Sequence, residues 1–269
     1  MKPTPLILLP PSEGKFSGGE GPSLDFDALS FSSLNPTRAI MAQCLKKICE
    51  RPDAAQKLLG VKGTFLKKTI ADNLGLADAP SCSAIQRYTG VMYDAIDYKS
   101  LDSRATEAFD RTVVIMSGLF GIIRPNNMIP SYKLKMGSRL MGDKTCAAVW
   151  RPLISKALGR TYENSVIWDL LPIEHSAAWD SSVVPHKTRF TVKFVSRGAH
   201  GKLRTVSHWS KALKGALVRH LILNISEAES QQAALGLVAG FSHREGYEFC
   251  PEMTQEVDKS VELVFVKAD

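Results

Sequence analysis

Between Asp180 and Glu227 the chain has no acidic residue at all. Cysteine is also scarce: Cys44, Cys49, Cys82, Cys146 and Cys250 are an odd number at scattered positions among 269 residues. That pattern excludes a disulfide framework. Cys44 and Cys49, spaced C-x4-C, lack the second pair that a zinc ribbon needs, so no metal site and no cofactor is expected. Reduced, structural thiols are the reading, with only Lys46 and Lys47 between the first two to favour a reactive one. No apolar run approaches the roughly 18 residues that cross a bilayer. The first run, Leu6 to Leu9, stops at Pro10-Pro11 without a cleavage site, which predicts a soluble, cytoplasmic protein with no membrane partner. Internal repeats, low-complexity tracts and long linkers are absent as well, and one domain over residues 1–269 is expected.

The composition present is that of a chain able to bury a full core: 44% hydrophobic and 23% charged residues. Apolar runs at Leu6 to Leu9, Val113 to Met116, Val166 to Trp168, Phe190 to Val195 and Leu263 to Val266 read as strands. Helical patterns occupy Pro36 to Glu50, Thr64 to Asn73, Ala84 to Ile96, Thr145 to Leu158 and His208 to Leu223. Strands interspersed with helices predict a mixed α/β (α+β) domain with helices around a mixed sheet. Phe16 to Pro36, rich in Gly and Ser, reads as a mobile loop or lid.

Three strand ends carry chemistry-bearing residues. Leu6 to Leu9 runs into Pro10-Pro11-Ser12-Glu13-Gly14-Lys15, which offers a hydroxyl, a carboxylate and an ammonium. Strand ends of α/β sheets are where ligands gather. The Walker spacing is absent, so Lys15 is read as an anion holder and Glu13 as an orienting group or base; an ordinary polar turn is the alternative. Val113 to Met116 leads into Ser117-Gly118-Leu119-Phe120-Gly121, followed by Arg124 with its planar anion-binding fork. Tyr132, Lys133, Lys135 and Arg139 extend a basic lining, and Arg87 with Tyr88 and Tyr93 adds to it upstream. Val166 to Trp168 ends at Asp169, with His175 six residues on, a candidate acid/base pair or a plain turn. A triad of Ser12, His175 and Asp169 is declined, because no G-x-S-x-G elbow supports it.

The acid-free stretch holds Lys187, Arg189, Lys193, Arg197, Lys202, Arg204, Lys211, Lys214 and Arg219, nine cations in a protein of net charge +7. The remaining 25 basic and 27 acidic residues leave the rest slightly acidic. A localised basic segment predicts an anionic partner, against the alternative of a solvated basic face. Phe190 to Val195 and Lys202 to Val206 read as a hairpin, and the next helix is capped by Ser207. At 100° per residue His208, Lys211, Lys214 and Arg219 span about 140° of that helix. Gly215 lies inside this arc, where a mid-helix glycine costs about 1 kcal/mol against alanine. Close approach of a phosphate, or of another backbone, would rationalise it. A weaker feature is Leu58 to Lys68, similar to the glycine turn of a helix-hairpin-helix except that Gly60 and Gly63 stand three apart rather than two.

Several of these motifs, taken in order, resemble the YaaA peroxide-stress protein family over nearly the whole chain. They are Pro-Pro-Ser-Glu-Gly-Lys, Arg87-Tyr88-Thr89-Gly90, Ser117 to Gly121, Arg124-Pro125, Trp168 to Pro172, Lys211 to Gly215, and Gly240-Phe241 with Gly246-Tyr247. The family's better-known branch opens Ser-Pro-Ala-Lys where this chain has Pro-Ser-Glu-Gly-Lys. The resemblance implies a cytoplasmic protein that limits oxidative DNA damage, with an α/β fold, a helix-hairpin-helix-like element and a basic cleft that binds DNA. Two functions stay open. One is DNA-backbone binding through Lys15, Arg87, Arg124, Lys133, Lys193, Lys202, Lys211, Lys214 and the Gly215 backbone. The other is an enzyme acting on an anionic small molecule, a nucleotide or nucleobase derivative, in a pocket of Ser12, Glu13, Lys15, Arg124, Asp169 and Lys211, with Glu13, Asp169 and Ser12 as catalytic candidates.

Overall fold

β1 (Leu6–Leu9) is four aliphatic residues with no accessible surface. A strand without polar alternation fits only where both sheet faces are covered, the environment of a parallel sheet in an α/β protein. In the computed structural model, which describes residues 4–198, 203–206, 210–224 and 230–267, β1 lies at that position. It pairs in parallel with β3 (Val113–Ser117) on one side and β6 (Ser165–Asp169) on the other. The parallel series continues from β6 to β7 (His186–Arg197) and from β7 to β12 (Ser260–Lys267). Antiparallel strands finish the edges: β4 (Gly121–Ile123) beside β3, and β10 (Tyr247–Phe249) with β9 (Ser242–His243) beyond β12. β11 (Gln255–Val257) also pairs with β12. A separate ribbon joins β2 (Cys82–Ser83) to β5 (Met128–Ile129). The sheet is mixed, as the strand and helix pattern predicted.

The helices follow their sequence signals closely. α1 (Asn35–Cys49) has proline in its first turn, where no amide bond is lost. α2 (Pro52–Leu59) and α3 (Gly63–Leu74) form a helical hairpin, and α6 (Ser103–Thr112) leads into β3. α7 (Cys146–Thr161) is capped by Thr145, whose hydroxyl accepts from the Ala148 amide at 3.2 Å. α8 (Ile173–Ser176) links β6 to β7, and α10 (Gln231–Ala239) precedes β9. α9 (Ser210–Leu223) occupies the described part of the basic helix. The hairpin of β7 with β8 (Leu203–Thr205) is present, while Lys202, His208 and the proposed cap Ser207 lie outside the described residues.

Two expectations are corrected. Ala84 to Ile96 is not one helix but α4 (Ala84–Arg87) and α5 (Val91–Ile96), interrupted where Tyr88 forms a β-bridge with Lys15 and the Thr89 amide donates to Gly14. The Phe16 to Pro36 segment is not a free lid at its start. Arg87 donates to the carbonyls of Phe16 and Gly18, and Gly21 pairs with Ser81, so the strap is fastened to the body.

Candidate functional site

The turn after β1 carries Ser12, Glu13 and Lys15 to the carboxyl end of the parallel sheet. There they line a cavity of about 50 Å³ together with Tyr132, Lys133, Lys135, Glu174 and His175. The Lys15 Nζ donates to the Ser12 carbonyl at 3.0 Å and lies over the rings of Tyr132 (4.7 Å) and Tyr88 (5.3 Å). Those rings are fixed by a buried chain of hydroxyls, Ser117 to Tyr132 at 2.8 Å and Tyr132 to Tyr88 at 2.7 Å. Removal from water, with Lys133 and Arg87 nearby, lowers the Lys15 pKa to about 7 despite the opposing Glu13. Partial burial pushes the Glu13 carboxyl up, but the Lys133 and Lys135 ammoniums at 3.4 and 3.3 Å outweigh it, and its pKa falls. Burial lowers the His175 pKa against the opposing Glu174 charge, and its Nδ1 has no hydrogen-bond partner among the described residues.

Other predicted site residues stand apart from this cavity. Asp169 closes β6 with its carboxylate on the Arg189 guanidinium of β7, at 2.6 and 2.9 Å, and accepts from the Leu171 amide. It is a fastener between strands, not a free acid or base, and it does not line the Lys15 cavity. Arg87 is fully buried and spends its guanidinium on the carbonyls of Phe16, Gly18, Pro80 and Ile129, leaving no edge for an anion. Arg124 donates to the carbonyls of Asp110 and Arg111 and stacks between Phe31 and Tyr162. A Cβ on Gly215 would lie 2.3 Å from the Met92 carbonyl oxygen, so the glycine admits the backbone of α5 rather than a phosphate.

The acid-free window is satisfied internally only in part. Besides Arg189, Lys214 donates to the Leu170 carbonyl at 2.9 Å, and burial lowers its pKa. Arg219 bonds the Ile96 and Asp97 carbonyls, and Lys193 lies 3.8 Å from the Glu262 carboxylate. Lys187, Arg197, Arg204 and Lys211 are exposed. The charge counted in the sequence is therefore divided, among the described residues, between cations bonded to their own chain and cations on the surface.

A basic groove does exist elsewhere. Arg51 and Lys57, at the start of and on α2, face Lys135 and Arg139 across about 650 Å³, with Glu174 the carboxylate among its described lining residues. Glu174 is itself engaged by the Gly137 amide at 2.8 Å, and Ser138 ties the opposite wall to the Leu58 carbonyl. The groove shares Lys135 and Glu174 with the Lys15 cavity. Beside it, Gly60 and Gly63 both take left-handed φ, 65° and 61°, and nothing lies within 4 Å of where their Cβ atoms would be. Lys62, Lys67 and Lys68 around that turn are exposed. The sequence marked Lys133, Lys135, Arg139 and the glycine turn. Arg51 and Lys57, six apart, share no helical face and gave no signal.

Residues 6–253 match the family described as peroxide stress protein YaaA. The chain belongs to the YaaA peroxide stress protein family. Among curated YaaA relatives it is 34% identical to a UPF0246 protein of Streptomyces coelicolor, over 81% of this chain and 82% of the relative. A UPF0246 protein of Corynebacterium glutamicum is also 34% identical, over 86% and 91% respectively. An uncharacterized protein of Campylobacter jejuni is 31% identical, over 79% and 82%. Among the thiols of this YaaA-family chain, Cys49, Cys82 and Cys146 are buried, and desolvation raises all three pKa values, that of Cys146 to about 12. Such thiols make poor thiolates and poor peroxide-reactive groups. No described helix is long and apolar enough to cross a membrane.

Proposed function

We propose that this YaaA-family protein acts in the peroxide stress response by binding the phosphate backbone of DNA in the groove between α2 and residues 135–139, without base readout. The observation that carries this reading is the convergence of Arg51, Lys57, Lys135 and Arg139 from two chain segments onto one groove. The open glycine turn of the α2–α3 hairpin stands beside it, where backbone amides can approach a phosphate. This reading puts the basic cleft elsewhere than the sequence-based expectation did, because Arg189, Lys214 and Arg219 are held by their own chain and no residue of the 187–219 window lines the groove.

Duplex binding followed by fluorescence anisotropy tests this. Lys57→Glu combined with Arg139→Glu should weaken binding at least tenfold. Lys187→Glu combined with Lys211→Glu should change it less than threefold. Absence of duplex binding by the wild type, or the reverse ranking of the two variants, overturns the groove assignment.

The second reading, an enzyme for an anionic small molecule, is favoured by a different observation: Ser12, Glu13, Lys15 and Lys133 share one cavity at a strand end. Arg124, Asp169 and Lys211 fall out of that pocket, while Lys135 and His175 enter it.

A further inference from the structure

We propose that Lys15 is a nucleophilic amine that captures a phosphorylated aldehyde or ketone as an imine. This goes beyond backbone binding and does not rest on it: Lys15, Glu13, Lys133 and His175 carry it, and of the groove it shares only Lys135 and Glu174.

The geometry is that of an amine presented rather than merely buried. The Lys15 side chain lies across two tyrosine faces and spends one N–H on the Ser12 carbonyl, which fixes the nitrogen at the cavity wall. A cavity of about 50 Å³ accepts a carbonyl head and little more. The remainder of such a molecule has somewhere to go, because the cavity shares Lys135 and Glu174 with the larger groove. Lys133 and Lys135 flank the Glu13 carboxylate at 3.4 and 3.3 Å, so the neighbourhood is already built to hold an anion next to the amine. A phosphate on the substrate would take the same two ammoniums, with the exposed Glu13 side chain, 72% accessible, free to turn aside.

Amines attack carbonyls only when unprotonated, and a lysine desolvated beside a second cation meets that need near neutral pH. Lys15, with Lys133 as its neighbour, is in that situation. The Lys15 lone pair forms the C–N bond as the C=O electron pair moves to oxygen. The nitrogen gives up two protons in turn to the Glu13 carboxylate, which passes each to the former carbonyl oxygen, first making it a hydroxyl and then releasing it as water. Amine and carbonyl become imine and one water, with no change of oxidation state. His175, with its Nδ1 unpartnered among the described residues, lines the same cavity and can relay those protons.

The chemistry has two sources, a free sugar phosphate or the ring-opened sugar of an abasic site in DNA, and the test carries an arm for each. The wild-type chain is incubated with 2-deoxyribose 5-phosphate, or with a duplex holding one abasic site, then reduced with cyanoborohydride and mapped by peptide mass spectrometry. The expected result is a reduced adduct concentrated on Lys15 in at least one arm, forming several-fold faster at pH 8 than at pH 6. Lys15→Arg should lower the total adduct at least tenfold. An adduct in the first arm alone assigns a metabolite, and one in the second alone assigns damaged DNA. No reduced adduct in either arm, or adducts spread over surface lysines with Lys15 a minor site, overturns the proposal. Mapping on the wild type decides this even if Lys15→Arg fails to fold. Intact-duplex binding, measured separately, is unaffected by either outcome.

Discussion

At Lys15 the fold holds an amine away from water beside Lys133 and Arg87, with Glu13 as the opposing charge. The consequence for stability has a definite sign. The unfolded chain titrates this lysine near 10.5 and the folded one near 7, so between those values the unfolded state binds the extra proton. Stability from this group therefore rises with pH across that window, and the full penalty applies below pH 7. The interval corresponds to at most roughly 5 kcal/mol. Lys15→Met should accordingly be more stable than the wild type at pH 6 to 7, and the difference should shrink towards pH 10.5. Urea unfolding at a series of pH values checks this; a pH-independent difference would mean that Lys15 is charged in the fold. Arg38 shows the opposite use of burial. Fully enclosed, it donates to the carbonyls of Phe120, Ile122 and Ser30, bracing β4 and the strap rather than meeting a ligand.

Among the elements, the contact between α5 and α9 decides the meaning of Gly215. Alanine there would gain about 1 kcal/mol of helix propensity. It would also place a methyl group 2.3 Å from the Met92 carbonyl oxygen, which must move the helices apart. Overpacking of this kind costs about 1–3 kcal/mol, so Gly215→Ala should be net destabilising by up to about 2 kcal/mol, measured by urea unfolding. A stabilised variant would show that the helices yield freely. Asp169 and Arg189 join β6 to β7 diagonally, since Asp169 stands opposite Thr191 in the register. Asp169→Asn leaves the guanidinium without its anion in a mostly buried site. It should cost about 2–4 kcal/mol in thermal or urea unfolding, and a loss below 0.5 kcal/mol would mean the pair is solvated.

For the whole molecule, the distribution of charge predicts how DNA binding responds to salt. If the four groove cations neutralise four phosphates, log K should fall with log salt at a slope of about −3.6. A slope near −8 would bring the 187–219 face back into the interface, and a flat response would remove phosphate contact altogether. Much of the architecture was legible beforehand: all five strands read from apolar runs exist, and together they form the parallel body, with β7 lengthened to twelve residues. The split of Ala84 to Ile96 was not legible, because it is imposed by Lys15 pairing with Tyr88 across 73 positions of chain. The site was half legible. Ser12, Glu13, Lys15 and Lys133 do converge, whereas Asp169, Arg87, Arg124 and Gly215 serve packing and fastening.

The sequence by itself determined the class of fold, the buried central strand and the family, because these rest on local runs, periodicity and ordered motifs. It also determined that cations outnumber acids within one acid-free window. Only the tertiary structure decided which cations are available. A charge can be counted from composition, but its pairing depends on what the fold sets within a few ångströms. Arg189 met Asp169 and Lys214 met a carbonyl, while Arg51, Lys57 and Arg139, with Lys135 shared between Glu13 and the groove, came to line one cleft. The same dependence on surroundings turned Lys15, in sequence one lysine after a turn, into an amine poised near neutrality.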